Sequence, residues 1–119
     1  MNPYTFRVSI RITHPVIDPL VFTKQIGLTP KRQWSAGEPR TNPNGNVLGG
    51  VWPNSFWCAD LTGKEALASE DQCVEDFLGD SVDRLKEHSV LFGEITSSGG
   101  RVEFFIGLFG TKNFGLTLN

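Results

Sequence analysis

Three cationic side chains and a tryptophan fall within one short stretch, Lys31-Arg32-Gln33-Trp34-Ser35-Ala36-Gly37-Glu38-Pro39-Arg40. Guanidinium groups grip carboxylates and phosphates through paired hydrogen bonds, and an indole gives a flat wall for stacking. Arg32, Trp34 and Arg40, joined by Trp52 from the next aromatic run, therefore form a candidate pocket for a small anionic ligand. The plainer reading of the same residues is packing: Trp34 closes the edge of the core, Arg32 or Arg40 pairs with Glu38 or lies along the ring, and Lys31 is solvated.

Other chemistry is weakly signalled. His14, Cys58, Cys73 and His88 are the only soft metal ligands, and none falls at a Cys-x-x-Cys or His-x-x-x-His spacing. Cys58 beside His14 or His88 would make an activated thiolate, but Cys58 lies in an apolar run and Cys73 on a helix, where inert thiols are usual. There is no Gly-x-Ser-x-Gly elbow and no glycine-rich phosphate loop. Neither a metal nor a cofactor is expected.

The 119 residues favour a single domain, 1–119, with 39% hydrophobic and 20% charged residues. A net charge of −2 gives no global basic field to draw in nucleic acid or an anionic membrane. The first residues contain no apolar signal core, and no apolar run approaches the roughly 20 residues of a membrane helix. The default home is then the cytoplasm, where both cysteines would be reduced rather than joined.

The elements that must hold these residues follow from periodicity. Tyr4 to Thr13 alternates: Phe6, Val8, Ile10 and Ile12 on one face, Arg7, Ser9, Arg11 and Thr13 on the other, a strand with a core face and a wetter face. His14-Pro15 ends it. Asp18-Pro19 starts a short helix, with Leu20, Val21, Phe22 and Ile26 as its apolar stripe and Gly27 as its left-handed stop. Residues 41–50 are rich in Asn and Gly and read as a flexible loop or hairpin tip, and 51–61 as an aromatic strand weakened by Pro53. Ser69-Glu70-Asp71-Gln72 has the capping-box pattern. Val74, Phe77, Leu78, Val82 and Leu85 follow at helical spacing, with a kink or break expected at Gly79. Residues 82–97 fit a helix better than a strand. Residues 101–109 read as a central strand, apolar on both faces, and 114–118 as a last short strand.

The wetter sheet face would bring Arg7, Ser9 and Arg11 beside Glu103, Phe105 and Phe109. Such a face could stack bases, but RNA-binding aromatic motifs are absent and the net charge is wrong. Cover by the 41–50 loop, or by a protein partner, is the better expectation.

The order of motifs is also familiar. The Asp18-Pro19 helix start, Ile26-Gly27-Leu28-Thr29-Pro30, Trp34, Gly37-Glu38-Pro39-Arg40 and Gly50-Val51-Trp52 together resemble the bacterial family known as domain of unknown function 4279. The helical stretch from Ser69, the Arg101 strand and Asn113-Phe114-Gly115-Leu116 are similar too. The resemblance implies an α+β fold and no established activity. It also implies a further helix and strand after the last strand, which this sequence does not contain.

The expected architecture is α+β: a mostly antiparallel sheet of about four strands with helices packed on one face, in two layers. The expected function is a small non-enzymatic binding or protein-interaction module, by analogy of immunity or antitoxin type. The alternative is a small-molecule or anion binder, conceivably an enzyme, with its pocket around Arg32, Trp34, Arg40 and Trp52.

Overall fold

The computed structural model describes residues 3–62 and 66–110. Its first strand, β1 (Tyr4–His14), is the axis of the sheet. Along one edge it pairs with β7 (Arg101–Gly110), in antiparallel register from Tyr4 opposite Gly110 to Thr13 opposite Arg101. Along the other edge it pairs with β5 (Ser55–Asp60) over Ser9 to His14 and with the two-residue β6 (Leu67–Ala68) at Thr5 and Phe6. β2 (Arg32–Trp34) lies outside β5 and completes a five-stranded sheet. A separate hairpin, β3 (Pro39–Thr41) and β4 (Val47–Val51), carries the Asn-Gly turn.

One face of the sheet is covered by α1 (Leu20–Ile26), α2 (Val74–Leu85) and α3 (Ser89–Ser97). Phe6, Val8, Ile10 and Ile12 are fully buried against them, as the alternation predicts. Ile10 and Ile12 join Phe22, Ile26, Trp57, Leu91 and Ile95 in one cluster, while Phe6 and Val8 join Val74 and Phe77 in a second. Trp57, the largest fully buried side chain, donates its indole N–H to Thr23 Oγ1 at 3.0 Å, so its polar atom does not destabilise the core it fills.

Helix boundaries follow the expected signals in part. Asp18 Oδ1 accepts the Leu20 N–H at 3.0 Å, and Gly27 stops α1 at φ 81°. Leu20 itself points outward, 52% exposed. Ser69 does not cap α2: its Oγ accepts the Tyr4 N–H, and Tyr4 Oη in turn accepts the Val74 N–H that opens the helix. The cap position belongs to Cys73. Nor does α2 break at Gly79. Burial of Val74, Phe77, Ser81 and Leu85 along one face carries the helix through it, against a glycine penalty of only ~1 kcal/mol. Ser81 takes the buried place expected for Val82, which is 43% exposed. The break comes later, in the single 3-10 turn Lys86–His88, before α3. Among the described residues β7 pairs with β1 alone, so it is not a central strand there. The strand expected at 114–118 lies outside the described residues.

His14 is a fastening rather than a ligand. It is 2% exposed. Its Nδ1 accepts two backbone N–H groups, from Val16 and Ile17, each at 3.0 Å. That leaves the proton on Nε2, which donates to Ser98 Oγ at 2.7 Å. The ring thereby ties the end of β1 to the end of α3. Gly100 passes just beneath: a Cβ there would lie 2.7 Å from both Ile95 Cγ2 and the Thr13 carbonyl oxygen, and 2.9 Å from His14 Cδ2. Gly100→Ala should therefore destabilise the domain by ~1–3 kcal/mol in urea unfolding. Gly93→Ala, in α3 with nothing within 4 Å of its Cβ, should stabilise it by ~0.5–1 kcal/mol.

Candidate functional site

The face of the sheet away from the helices gathers both surfaces that the sequence offers as separate candidates. The register sets them side by side. Arg11 pairs with Cys58 of β5, and Cys58 pairs on its other side with Arg32 of β2. Trp34 pairs with Phe56, and Ser9 with Phe105 of β7. The cationic stretch from Lys31 to Arg40 thus begins with a short edge strand, held by the Lys31 N–H to the Cys58 carbonyl at 2.7 Å. It shows no apolar alternation because Gln33, which pairs with the core-facing Trp57, is itself polar and exposed.

A row of rings runs along this edge. Trp34 stacks on Trp52 with centroids 3.8 Å apart and on Phe56 at 4.6 Å, and its Nε1–H donates to the Asn54 carbonyl at 3.0 Å. Trp34 is half-buried and belongs to neither core cluster, so it does not close the core. Its partner Trp52 is brought in by the hairpin, whose base is fixed by the Trp52 N–H to the Glu38 carbonyl (2.9 Å) and the Gly37 N–H to the Trp52 carbonyl (2.8 Å). Glu38 therefore serves through its backbone.

Three arginines of this face, Arg11, Arg32 and Arg40, each lie along a ring. The guanidinium carbon of Arg32 is 4.8 Å from the Trp34 ring centre, that of Arg40 is 5.5 Å from Trp52, and that of Arg11 is 3.9 Å from Phe105. Among the described residues no carboxylate lies within ion-pair distance of Arg11, Lys31, Arg32 or Arg40; the ion pairs are Lys86 with Asp83 and His88 with Glu87, on the helical side. The pairing of Arg32 or Arg40 with Glu38 does not form. Arg11 Nε is shut off from solvent without a hydrogen-bond partner, an arrangement that costs ~1–3 kcal/mol.

Two cavities meet at this row, and Trp34 and Phe56 line both. The first, about 460 Å³, spreads over the sheet face between Arg7, Arg11, Lys31 and Arg32, with Phe105 as a wall and Asp60 as its one carboxylate. The second, about 630 Å³, lies between Arg40, Trp52 and Val51. The sequence-derived pocket is therefore divided: Trp34, Arg40 and Trp52 share one cavity, while Arg32 opens into the other. No residue of the 41–50 segment lines the sheet-face cavity, so the hairpin does not cover it. Phe56 and Asp60 line the sheet-face cavity although the sequence reading names neither, and Cys58, named there only as a thiol, lines it too. Their alternation against the core-facing Ser55, Trp57 and Ala59 was the available signal.

Cys58 faces this cavity, whereas His14 faces the helices and His88 follows α2, so the sheet separates the thiol from both imidazoles. Both cysteines are free. At Cys73 the Asp76 backbone N–H favours the thiolate, but the Asp76 carboxylate, desolvation and Glu75 outweigh it and raise the thiol above its ordinary value. That is the reverse of nucleophile activation. Among the described residues no group of three or more His, Cys, Asp or Glu side chains could hold a metal ion, and no helix is long and apolar enough to cross a membrane.

Because Trp34 packs on the sheet rather than in the core, Trp34→Ala should cost only ~1–2 kcal/mol in urea unfolding, whereas Trp57→Ala should cost ~3–5 kcal/mol. A loss at Trp34 as large as that at Trp57 would return Trp34 to the core. Compared with protein-family models, curated proteins and solved structures, the chain finds no match.

Proposed function

We propose that this chain is a non-enzymatic interaction module whose helix-free sheet face receives a partner protein through anionic groups. The observation that carries the reading is the set of unpaired cations: Arg11, Lys31 and Arg32 share one cavity without an ion-pair partner among the described residues. A charge whose Coulomb attraction is not met inside the chain remains available to an external one. The aromatic and arginine side chains on this face are also the types that anchor protein interfaces. The likeness to domain of unknown function 4279, most specific over the stretch from Gly27 to Arg40, is compatible with this role and supplies no activity of its own.

A second reading has its own observation. The cavity of about 630 Å³ beside Trp52 falls in the range of small-molecule sites, roughly 300–1,000 Å³. On that reading Arg40 and the Trp34–Trp52 stack hold a small anion.

The two readings separate by mutation. Tagged protein is used to capture partners from native cell extract, with Arg32→Glu and Arg40→Ala as controls. The interaction reading expects a stoichiometric protein that Arg32→Glu loses and Arg40→Ala keeps. A partner retained by Arg32→Glu would remove the sheet face from the interface. No protein at all, with tryptophan fluorescence responding to an anionic metabolite in wild type but not in Arg40→Ala, would establish the small-molecule reading instead.

A further inference from the structure

The exposed apolar hairpin, with Val47, Leu48 and Val51 at 50–73% exposure, has nothing beside it to say what covers it. Cys58 between two arginines is a lone cysteine. The arrangement of the cations themselves goes further, because it constrains the shape and chemistry of what they bind.

Consider what the two central arginines can reach. Arg11 and Arg32 flank Cys58 on opposite sides, so their backbones are two strand spacings apart, ~10 Å. Arg11 lies on Phe105 towards β7, and Arg32 lies on Trp34 along β2. The two forks are thus held apart, each on its own ring. With backbones two strands apart and each fork on its own ring, a ligand with two or more separated anionic groups matches them better than a single compact anion.

Next consider which such ligand the face accepts. Single-stranded nucleic acid is held by stacking bases on open ring faces as well as by its phosphates. Here Trp34 is already stacked on Trp52 and Phe56, and Phe105 lies under a guanidinium. Asp60 lines the same cavity, and Glu103 sits opposite Arg11 in the ladder. Two carboxylates among the cations oppose a uniform polyanion. They suit a chain in which acidic groups are spaced by neutral ones and backbone N–H donors are present.

Resting on the interaction-module reading above, we infer that the sheet face between Arg11 and Arg32 docks an acidic peptide segment of the partner protein, with separate carboxylates received by the two ring-supported guanidinium groups. The rings give each arginine a fixed plane, so carboxylates can meet them with paired hydrogen bonds and little further ordering. Arginine rather than lysine at both places is part of the specificity.

The test is to pan a random dodecapeptide library on the full chain and to titrate the recovered peptides by tryptophan fluorescence. Inorganic phosphate and a twelve-residue oligothymidylate are titrated alongside. The expected result is enrichment of peptides with two or more Asp or Glu residues. Their affinity should fall roughly tenfold in each of Arg11→Gln and Arg32→Gln, and further when salt screens the charges. Phosphate should give no saturable signal. Thermal melting of both variants checks that the fold is retained. Arg32→Glu, at an exposed position, adds a gain of function: it should shift enrichment towards basic residues.

Neutral or basic consensus peptides, affinity unchanged in both glutamine variants, tighter binding of oligothymidylate, or no enrichment at all would each overturn the inference. A neutral consensus that still binds this face would leave the interaction-module reading standing while the acidic peptide falls. An absence of any peptide or protein partner, together with saturable binding of a small metabolite, would remove both.

Discussion

β1 is hydrogen-bonded along both edges, and its side chains alternate without interruption from Phe6 to Thr13. A strand in that position gives the whole sheet its two faces. Slipping its register by one residue would turn Phe6, Val8, Ile10 and Ile12 to water and bury Arg7 and Arg11 under the helices. The apolar core therefore enforces the geometry of the opposite face. Ile10 and Ile12 are held in register by Trp57, Ala59, Leu91 and Ile95, and the same backbone places Arg11 between Cys58 and Glu103. The His14 fastening and the close passage of Gly100 fix the end of that strand against α3, so the last cross-strand pairs have little freedom to slide.

Arginine on an exposed sheet normally moves among many rotamers, and ordering it on binding carries an entropic cost. Three aromatic supports reduce that cost here. Phe105 holds Arg11, Trp34 holds Arg32 and Trp52 holds Arg40. The Arg11 guanidinium keeps this position even though its Nε is buried without a partner. The unmet donor works against the favourable ring contact.

Sequence reading reached the fold through its strongest periodic signals. The α+β architecture, the core face of β1, the Gly27 stop, the helix over the second half of 82–97 and the hairpin at 41–50 all follow from patterns that local physics also obeys. What escaped has a common cause: contacts made across long sequence separations. Ser69 carries a capping motif, but Tyr4, distant in sequence, supplies the hydroxyl that accepts the Val74 N–H. Gly79 carries a breaking signal, but burial of one face of α2 outweighs a local penalty. β2 has no apolar alternation because its middle residue, Gln33, is polar and exposed where its pairing partner Trp57 is buried. Of the site, the sequence supplied Arg32, Trp34, Arg40 and Trp52, and separately Arg7, Arg11 and Phe105. It had no means of setting those groups on one face, since only the pairing of β2 with β5 does so.

That merging decides which residues can assign a role. Trp34 and Phe56 line both cavities, and Trp34 also anchors the hairpin through Trp52. A change at Trp34 must disturb the sheet face, the hairpin cavity and the hairpin orientation together, so its phenotype belongs to none of them in particular. The arginines are different. Of the two cavities, Arg11 and Arg32 line the one on the sheet face and Arg40 the one beside Trp52. Each is supported by a different ring, and among the described residues none carries an ion pair whose loss would confuse the result. In a face built around shared aromatics, the charge that each ring presents carries the assignable chemistry, and the rings themselves fix where that chemistry can occur.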